Sequence, residues 1–308
     1  MKGVVQFRLV DAFAEQAYTG NPAGVVLNAE GLSDAQMQLI SREIRASETA
    51  FLAPGSDRQA PTRLRWFTPQ AEVQFCGHAT LAAAHASTEG AALGRLVENA
   101  GARVVFDTAA GPLRLRAEAL PGAPGAAMWW LEMPDPGLKP DHTHSARTCA
   151  LLGLTADDLD PEVPITRTRD DDLILIVRGW QCLFGMQPNF PELVRWSQRH
   201  GIRGYCVATL NTLSPMATVQ SRFFAPAVGV PEDPVTGSVH GPLAAMLVSR
   251  ELVPHESGRS SLYCLQGEPG GRNGVVRALV ESTPPGYRVQ VGGRCQVTLR
   301  GELCVPPA

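Results

Sequence analysis

Residues 77–87 read GHATLAAAHAS, and residues 239–248 read VHGPLAAMLV. Both stretches have the composition of a helix, yet neither carries a polar face broad enough to meet solvent. Such a helix is stable only when other elements surround it, and side chains this small let strands pack close to its axis. The chain must therefore supply enough strand to enclose two helices.

The remaining sequence is rich in strands. VVQFRLVDAF at the N-terminus alternates apolar and polar residues as a half-buried strand does. GNPAG is a turn signal that leads into a second strand. SDAQMQLISREIR reads as an amphipathic helix, with Ser33 or Asp34 as its N-cap and Met37, Ile40 and Ile44 at helical spacing. SETAFLAP and TRLRWFTP follow as two strands, and VVFDTAAGPLRLRAE as a strand pair. After the Pro/Gly/Ala stretch ALPGAPGAA the order recurs, and a run of strands ends the chain. Each buried helix follows a strand with the same ending, RWFTP at 65–69 and RFFAP at 222–226. This pattern predicts an internal duplication, with domains over 1–122 and 123–308.

Composition narrows the function classes. With 308 residues, 44% hydrophobic and 19% charged, the chain reads as globular with well-filled cores. A net charge of -3 offers no electrostatic reason to expect nucleic acid or an anionic membrane as partner, which leaves a small molecule. The seven cysteines are scattered with no C-x-x-C pair, against both a disulfide framework and a zinc knuckle. The N-terminus lacks a signal-peptide pattern and no 18-residue apolar run exists, so the expected location is the cytoplasm.

The helix entrances are the candidate sites. A helix N-terminus leaves backbone N–H groups unpaired and carries partial positive charge, so it receives a carboxylate without needing Lys or Arg. Gly77 and Gly237 would admit a ligand close to the backbone, and His78 and Ser238 would add hydrogen bonds. Asp233 also reads as a helix N-cap, with Thr236 or Ser238 sharing that task, and His78 as a structural histidine. Glu48, opening the apolar run TAFLA, suits general acid/base work if it is desolvated; an exposed strand-edge Glu is the alternative. His142 and His144 have no third metal ligand at a suitable spacing. No G-x-G-x-x-G, Walker or G-x-S-x-G motif is present, so neither nucleotide nor flavin is indicated.

Together, VDAF…YTGNPAGVVL, SETAFL, RWFTPQAEVQFCGHATLAAAHA, GVPEDPVTGSVHGPLA and LQGEPGGRNG resemble the phenazine biosynthesis protein PhzF family. The resemblance spans the chain from first strand to last turn. It implies the α+β diaminopimelate epimerase-like fold: two pseudo-symmetric domains, each a barrel-like sheet around a central helix, with the site in the cleft between them and the last strand able to complete the first domain. It implies a cofactor-independent, metal-free isomerase acting by proton transfer on a small carboxylate, as on trans-2,3-dihydro-3-hydroxyanthranilate, and a homodimer. The family's acid/base Glu falls on Glu48. Its Gly-His turn falls on Gly77 and His78, and its Asp-Pro-x-Thr-Gly-Ser turn on Asp233 through Ser238. Glu48, His78 and Asp233 are the expected catalytic residues, with Asn21, Gly77, Thr236, Gly237 and Ser238 as substrate contacts. Epimerases of this fold use a cysteine at each entrance. Here Cys76 flanks the first but none flanks the second, which disfavours a two-thiol racemase and assigns Cys76 to packing. A metabolite-binding protein without chemistry is the remaining rival.

Overall fold

The computed structural model describes residues 3–55, 60–88, 103–123, 126–142, 145–284 and 286–307. The chain divides into two compact units, Met1–Glu132 with Gly292–Ala308, and Met133–Val291. The first unit therefore extends beyond the Pro/Gly/Ala stretch at which the sequence suggests a boundary, and it takes back the chain's last residues. Strand pairing supplies the reason. The strand after that stretch continues the ladder of the strand before it, Ala119 opposite Ala127, and the N-terminal strand is paired along its whole length by the C-terminal one.

The first unit contains β1 (Val4–Ala12), β2 (Asn21–Val26), α1 (Asp34–Ile44), β3 (Glu48–Ala53), β4 (Thr62–Phe67), β5 (Glu72–Val73), α2 (Gly77–Ser87), β6 (Arg103–Asp107), β7 (Leu113–Ala119) and β8 (Ala127–Met133), closed by the end of β17 (Gly286–Cys304). β1 pairs antiparallel with β2 and with β17. β2 and β3 are parallel, as the crossover through α1 requires. The ladder continues β3–β4, β4–β6, β6–β7 and β7–β8, and β8 returns to β17. Eight strands thus close on themselves and leave no long edge exposed.

α1 begins at Ser33, whose hydroxyl and the Gln36 amide form a reciprocal capping box, and ends on Arg45 in the left-handed region. Its apolar face, Met37 and Ile40, packs on Val5, Phe7, Val26, Phe51 and Phe67 outside the barrel. α2 packs on β1, β2 and β3. Ala79, Leu81, Ala82, Ala83 and Ala84 are fully buried there, which explains the lack of a polar face.

The second unit contains β9 (Lys139–Pro140), α3 (Ser145–Leu152), β10 (Thr166–Arg167), β11 (Asp172–Ile176), α4 (Trp180–Gly185), α5 (Phe190–His200), β12 (Gly204–Thr209), β13 (Val219–Ala225), β14 (Val230–Asp233), α6 (Gly237–Ser249), β15 (Arg259–Gly267) and β16 (Asn273–Thr283). Its pairings repeat those of the first unit in type and order. β10–β11 is antiparallel, β11–β12 parallel, β12–β13 and β13–β14 antiparallel, β13–β15 parallel and β15–β16 antiparallel. α6 occupies the place of α2 and is buried from Val239 to Val248.

The registers align the repeats residue by residue. Thr49 faces Phe67 in one unit, and Tyr205 faces Phe224 in the other. Glu48 therefore corresponds to Gly204 and Ser47 to Arg203. Trp66 faces Val73, and Phe223 faces Asp233, so Val73 corresponds to Asp233. Cys76 and Thr236 are the N-caps of α2 and α6.

Candidate functional site

In the first unit the candidate groups converge on the start of α2. Glu48 is the first residue of β3, and its side chain is 18% exposed. Its Oε2 lies 3.3 Å from His78 Nε2 and takes no hydrogen bond among the described residues. The same imidazole nitrogen is 3.2 Å from Ser47 Oγ, which in turn lies 3.5 Å from Oδ1 of the fully buried Asn21. On the other side of the ring, Nδ1 lies 3.5 Å from Cys76 Sγ. A thiol, an imidazole and a carboxylate thus stand in a row. The helix above them begins at Gly77, where an added Cβ would meet only the Phe75 ring, at 4.0 Å. Packing does not demand glycine there, so the missing side chain leaves the backbone open to a ligand.

Cys76, assigned to packing in the sequence, also stands beside these groups. It packs as a strand-end residue would, 7% exposed, but it is also the N-cap and touches His78. The signal was its position, one residue before a helix-opening glycine. Glu48, Cys76 and His78 are also of the types that hold metals, with donor atoms within 4.8 Å of one another. The positive end of α2 beside them opposes a cation.

In the second unit the entrance to α6 is built around Asp233 and Gln266. Thr236 donates its hydroxyl to Asp233 Oδ2 at 2.5 Å. Gln266, 1% exposed, accepts from Thr236 N at 2.9 Å, and its amide nitrogen lies 2.7 Å from the Asp233 carbonyl and 3.1 Å from Thr236 Oγ1. Thr236 is thus the N-cap by position, although its side chain bonds backward to the carboxylate and leaves the helix N–H groups of Gly237 and Ser238 uncapped by it. Gln266 belongs to the LQGEP motif and precedes Gly267, whose φ is 109; no local pattern in the sequence marks its role. His240, fully buried, contacts the Thr236 carbonyl through Nδ1 at 2.8 Å and Ser221 Oγ through Nε2 at 3.2 Å. Burial pushes its pKa down to about 4, so the ring is neutral and braces the turn.

Two further groups reach the same entrance. Asp172, 1% exposed, forms a forked pair with Arg203, with Nε to Oδ1 at 2.9 Å and Nη2 to Oδ2. Arg203 Nη2 also lies 3.5 Å from Ser238 Oγ. Desolvation outweighs the guanidinium and pushes the Asp172 carboxyl up to about 6.

The sequence-derived candidates therefore fall into two groups. Asn21, Glu48, Gly77 and His78 gather at the first entrance, and Asp233, Thr236, Gly237 and Ser238 at the second. His142 is exposed, and His144 lies outside the described residues. No helix among the described residues is long and apolar enough to cross a membrane.

Comparison with known proteins agrees with the motifs. The family model for phenazine biosynthesis-like proteins (PhzC-PhzF) matches residues 10–301. A Clostridium acetobutylicum protein named as an uncharacterized isomerase is 33% identical over 302 residues, 96% of each chain. The crystal structure of a PhzF-family phenazine biosynthesis protein from Bacillus anthracis superposes with a TM-score of 0.82 at 25% identity, covering 99% of this chain and 100% of that one. A hydroxyproline epimerase from Agrobacterium vitis, 14% identical with a TM-score of 0.57, covers 98% of this chain and 91% of its own and shares the fold.

Proposed function

Since the chain belongs to the phenazine biosynthesis-like (PhzC-PhzF) family, we propose that it is an isomerase that relocates a proton within a small, carboxylate-bearing metabolite. The reading takes that metabolite to be cyclic or unsaturated, of the kind represented by trans-2,3-dihydro-3-hydroxyanthranilate. Relatives named as isomerases support the reaction class. The observation that carries the reading is the approach of Glu48 Oε2 to His78 Nε2, 3.3 Å, at the open N-terminus of α2.

Glu48, as carboxylate, takes a proton from a carbon acidified by the substrate's own unsaturation. The electron pair left behind moves into conjugation and shifts the double bond. The carboxylic acid then returns the proton to a second carbon on the same face. Proton and electrons balance within one molecule, so the step needs no cofactor. His78 and the unpaired N–H groups of α2 stabilise the charge that develops on the substrate. Asp233, held by Thr236, is the second group able to carry a proton or anchor a polar substituent.

The two entrances also bear on the rival chemistry. A two-thiol racemase needs a cysteine at each helix N-cap, and the N-caps here are Cys76 and Thr236. Incubation of the enzyme with candidate acids in deuterated water tests the proposal. The wild-type chain places deuterium on carbon in its substrate, and Glu48→Gln folds normally while losing at least ~100-fold in rate. An undiminished Gln variant defeats the assignment, and a chain that binds acids without exchange is a binding protein instead.

A further inference from the structure

The duplication allows one entrance to be compared with the other. At the position of Glu48 the second unit has Gly204, and at the position of Ser47 it has Arg203. The glycine is required: a Cβ there would lie 2.3 Å from the Phe223 ring and 3.0 Å from Asp172 Oδ1. The space that the Glu48 side chain needs in the first unit is thus closed by Phe223 and by a carboxylate reaching across from β11. That carboxylate is buried, and two donors of Arg203 hold it. In the first unit Ser47 contacts His78; in the second, Arg203 contacts Ser238, the residue at the matching place in α6.

From this exchange we infer that Arg203 is the specificity-determining residue of the second entrance, selecting ligands that carry a carboxylate. The geometry shows how. Nε and Nη2 are committed to Asp172, which locks the plane of the guanidinium, while Nη1 has no hydrogen-bond partner among the described residues. The side chain remains 35% exposed although its partner is 1% exposed. Nη2 brings the guanidinium to Ser238 Oγ at the start of α6, where the Gly237 and Ser238 amides open the helix. A planar fork fixed in advance loses little entropy on accepting a carboxylate oxygen. Asp172 is the positioning residue, keeping the fork aimed. The Arg203–Asp172 pair is formally neutral and the carboxylates of Asp170 and Asp233 also lie within electrostatic reach of the guanidinium, so directed donors discriminate rather than net charge. A neutral amide of the same shape keeps one acceptor oxygen but presents an NH2 group in place of the other, so it binds more weakly.

The inference deepens the proposed function, resting on it only in taking the natural ligand to be a small acid. It is tested with the full-length chain by calorimetric titration of anthranilate against anthranilamide, which share ring and amine and differ at the acid. Wild type is expected to bind anthranilate at least ~10-fold more tightly, the worth of one hydrogen bond to a charged group. Arg203→Met in an Asp172→Asn background removes both charges without leaving a carboxylate buried alone. It is expected to lose the preference while binding the amide as before, and Arg203→Lys to recover part of it. Absence of acid preference in wild type, or its survival in the double variant, overturns the inference. The proton-shift reading fails separately: a Glu48→Gln chain that still exchanges deuterium sinks that reading and leaves the acid preference at Arg203 intact.

Discussion

His78 Nε2 stands 3.3 Å from Glu48 Oε2, although the two residues belong to different elements, the start of α2 and the start of β3. Ser47, from the residue before the glutamate, touches the same nitrogen. His78 is 8% exposed, so its contacts are set by the fold and are not negotiated with solvent.

Replacing His78 by Ala is expected to lower kcat/KM by about 10- to 100-fold, the equivalent of ~1.5–3 kcal/mol for one charge-assisted contact. His78→Gln, which restores a donor, is expected to regain part of the loss. Deuterium incorporation followed by mass spectrometry gives the rates. Equal activity in all three chains removes His78 from the proposed chemistry.

The buried carboxyl of Asp172 sets a pH dependence of stability. Its folded pKa of about 6 lies above the unfolded value of 3.8, so the folded state holds the proton more tightly. Between about pH 4 and 6 the folded chain binds more protons than the unfolded one, and this contribution makes stability fall as pH rises. The full difference at neutral pH is on the order of 3 kcal/mol. Urea midpoints measured from pH 4 to 7 are expected to show this decline, and Asp172→Asn to flatten it. An unchanged slope in the variant assigns the decline to other groups.

Gln266 joins the turn before α6 to β15. Its replacement by Leu leaves Thr236 N and the Asp233 carbonyl without the partners they have now. A loss of ~1–3 kcal/mol is expected from unpaired buried polar groups, measurable by chemical denaturation. Asp233, whose hydroxyl donor Thr236 is no longer held, is expected to lose its fixed orientation. Wild-type stability in this variant contradicts the bracing role.

Barrel closure in the first unit depends on Gly292, where β17 passes Trp130. A Cβ there would lie 2.6 Å from the Trp130 ring and 2.9 Å from the Trp129 carbonyl. Gly292→Ala is expected to cost ~1–3 kcal/mol through overpacking. A melting temperature equal to wild type shows that β17 can shift without cost.

Much of the architecture was readable because it is periodic. The alternation in β1, the N-cap signal at Ser33 or Asp34 and the small-residue runs of α2 and α6 are local patterns, and each formed the element its pattern implies. Short pieces such as β5, β14 and α4 carry too few residues for any period. The role of Gln266 was not readable either, because it depends on β15 passing beside the α6 turn, thirty residues earlier in sequence. Likewise nothing local in the acidic run RDDDL marks Asp172 as buried; the parallel register of β11 and β12 places it opposite Gly204, in contact with Arg203.

Sequence alone determined that two helices without polar faces must be enclosed, and that each opens on a glycine beside a polar residue. Hydrophobic patterning and helix-end electrostatics act over a few residues, so they survive in a linear reading. Tertiary structure decided which side chains stand at each entrance, putting Glu48, His78 and Cys76 at one and Asp233, Gln266 and the Arg203–Asp172 pair at the other. Those neighbourhoods follow from strand register, and register is a property of pairings between distant segments that no local pattern contains.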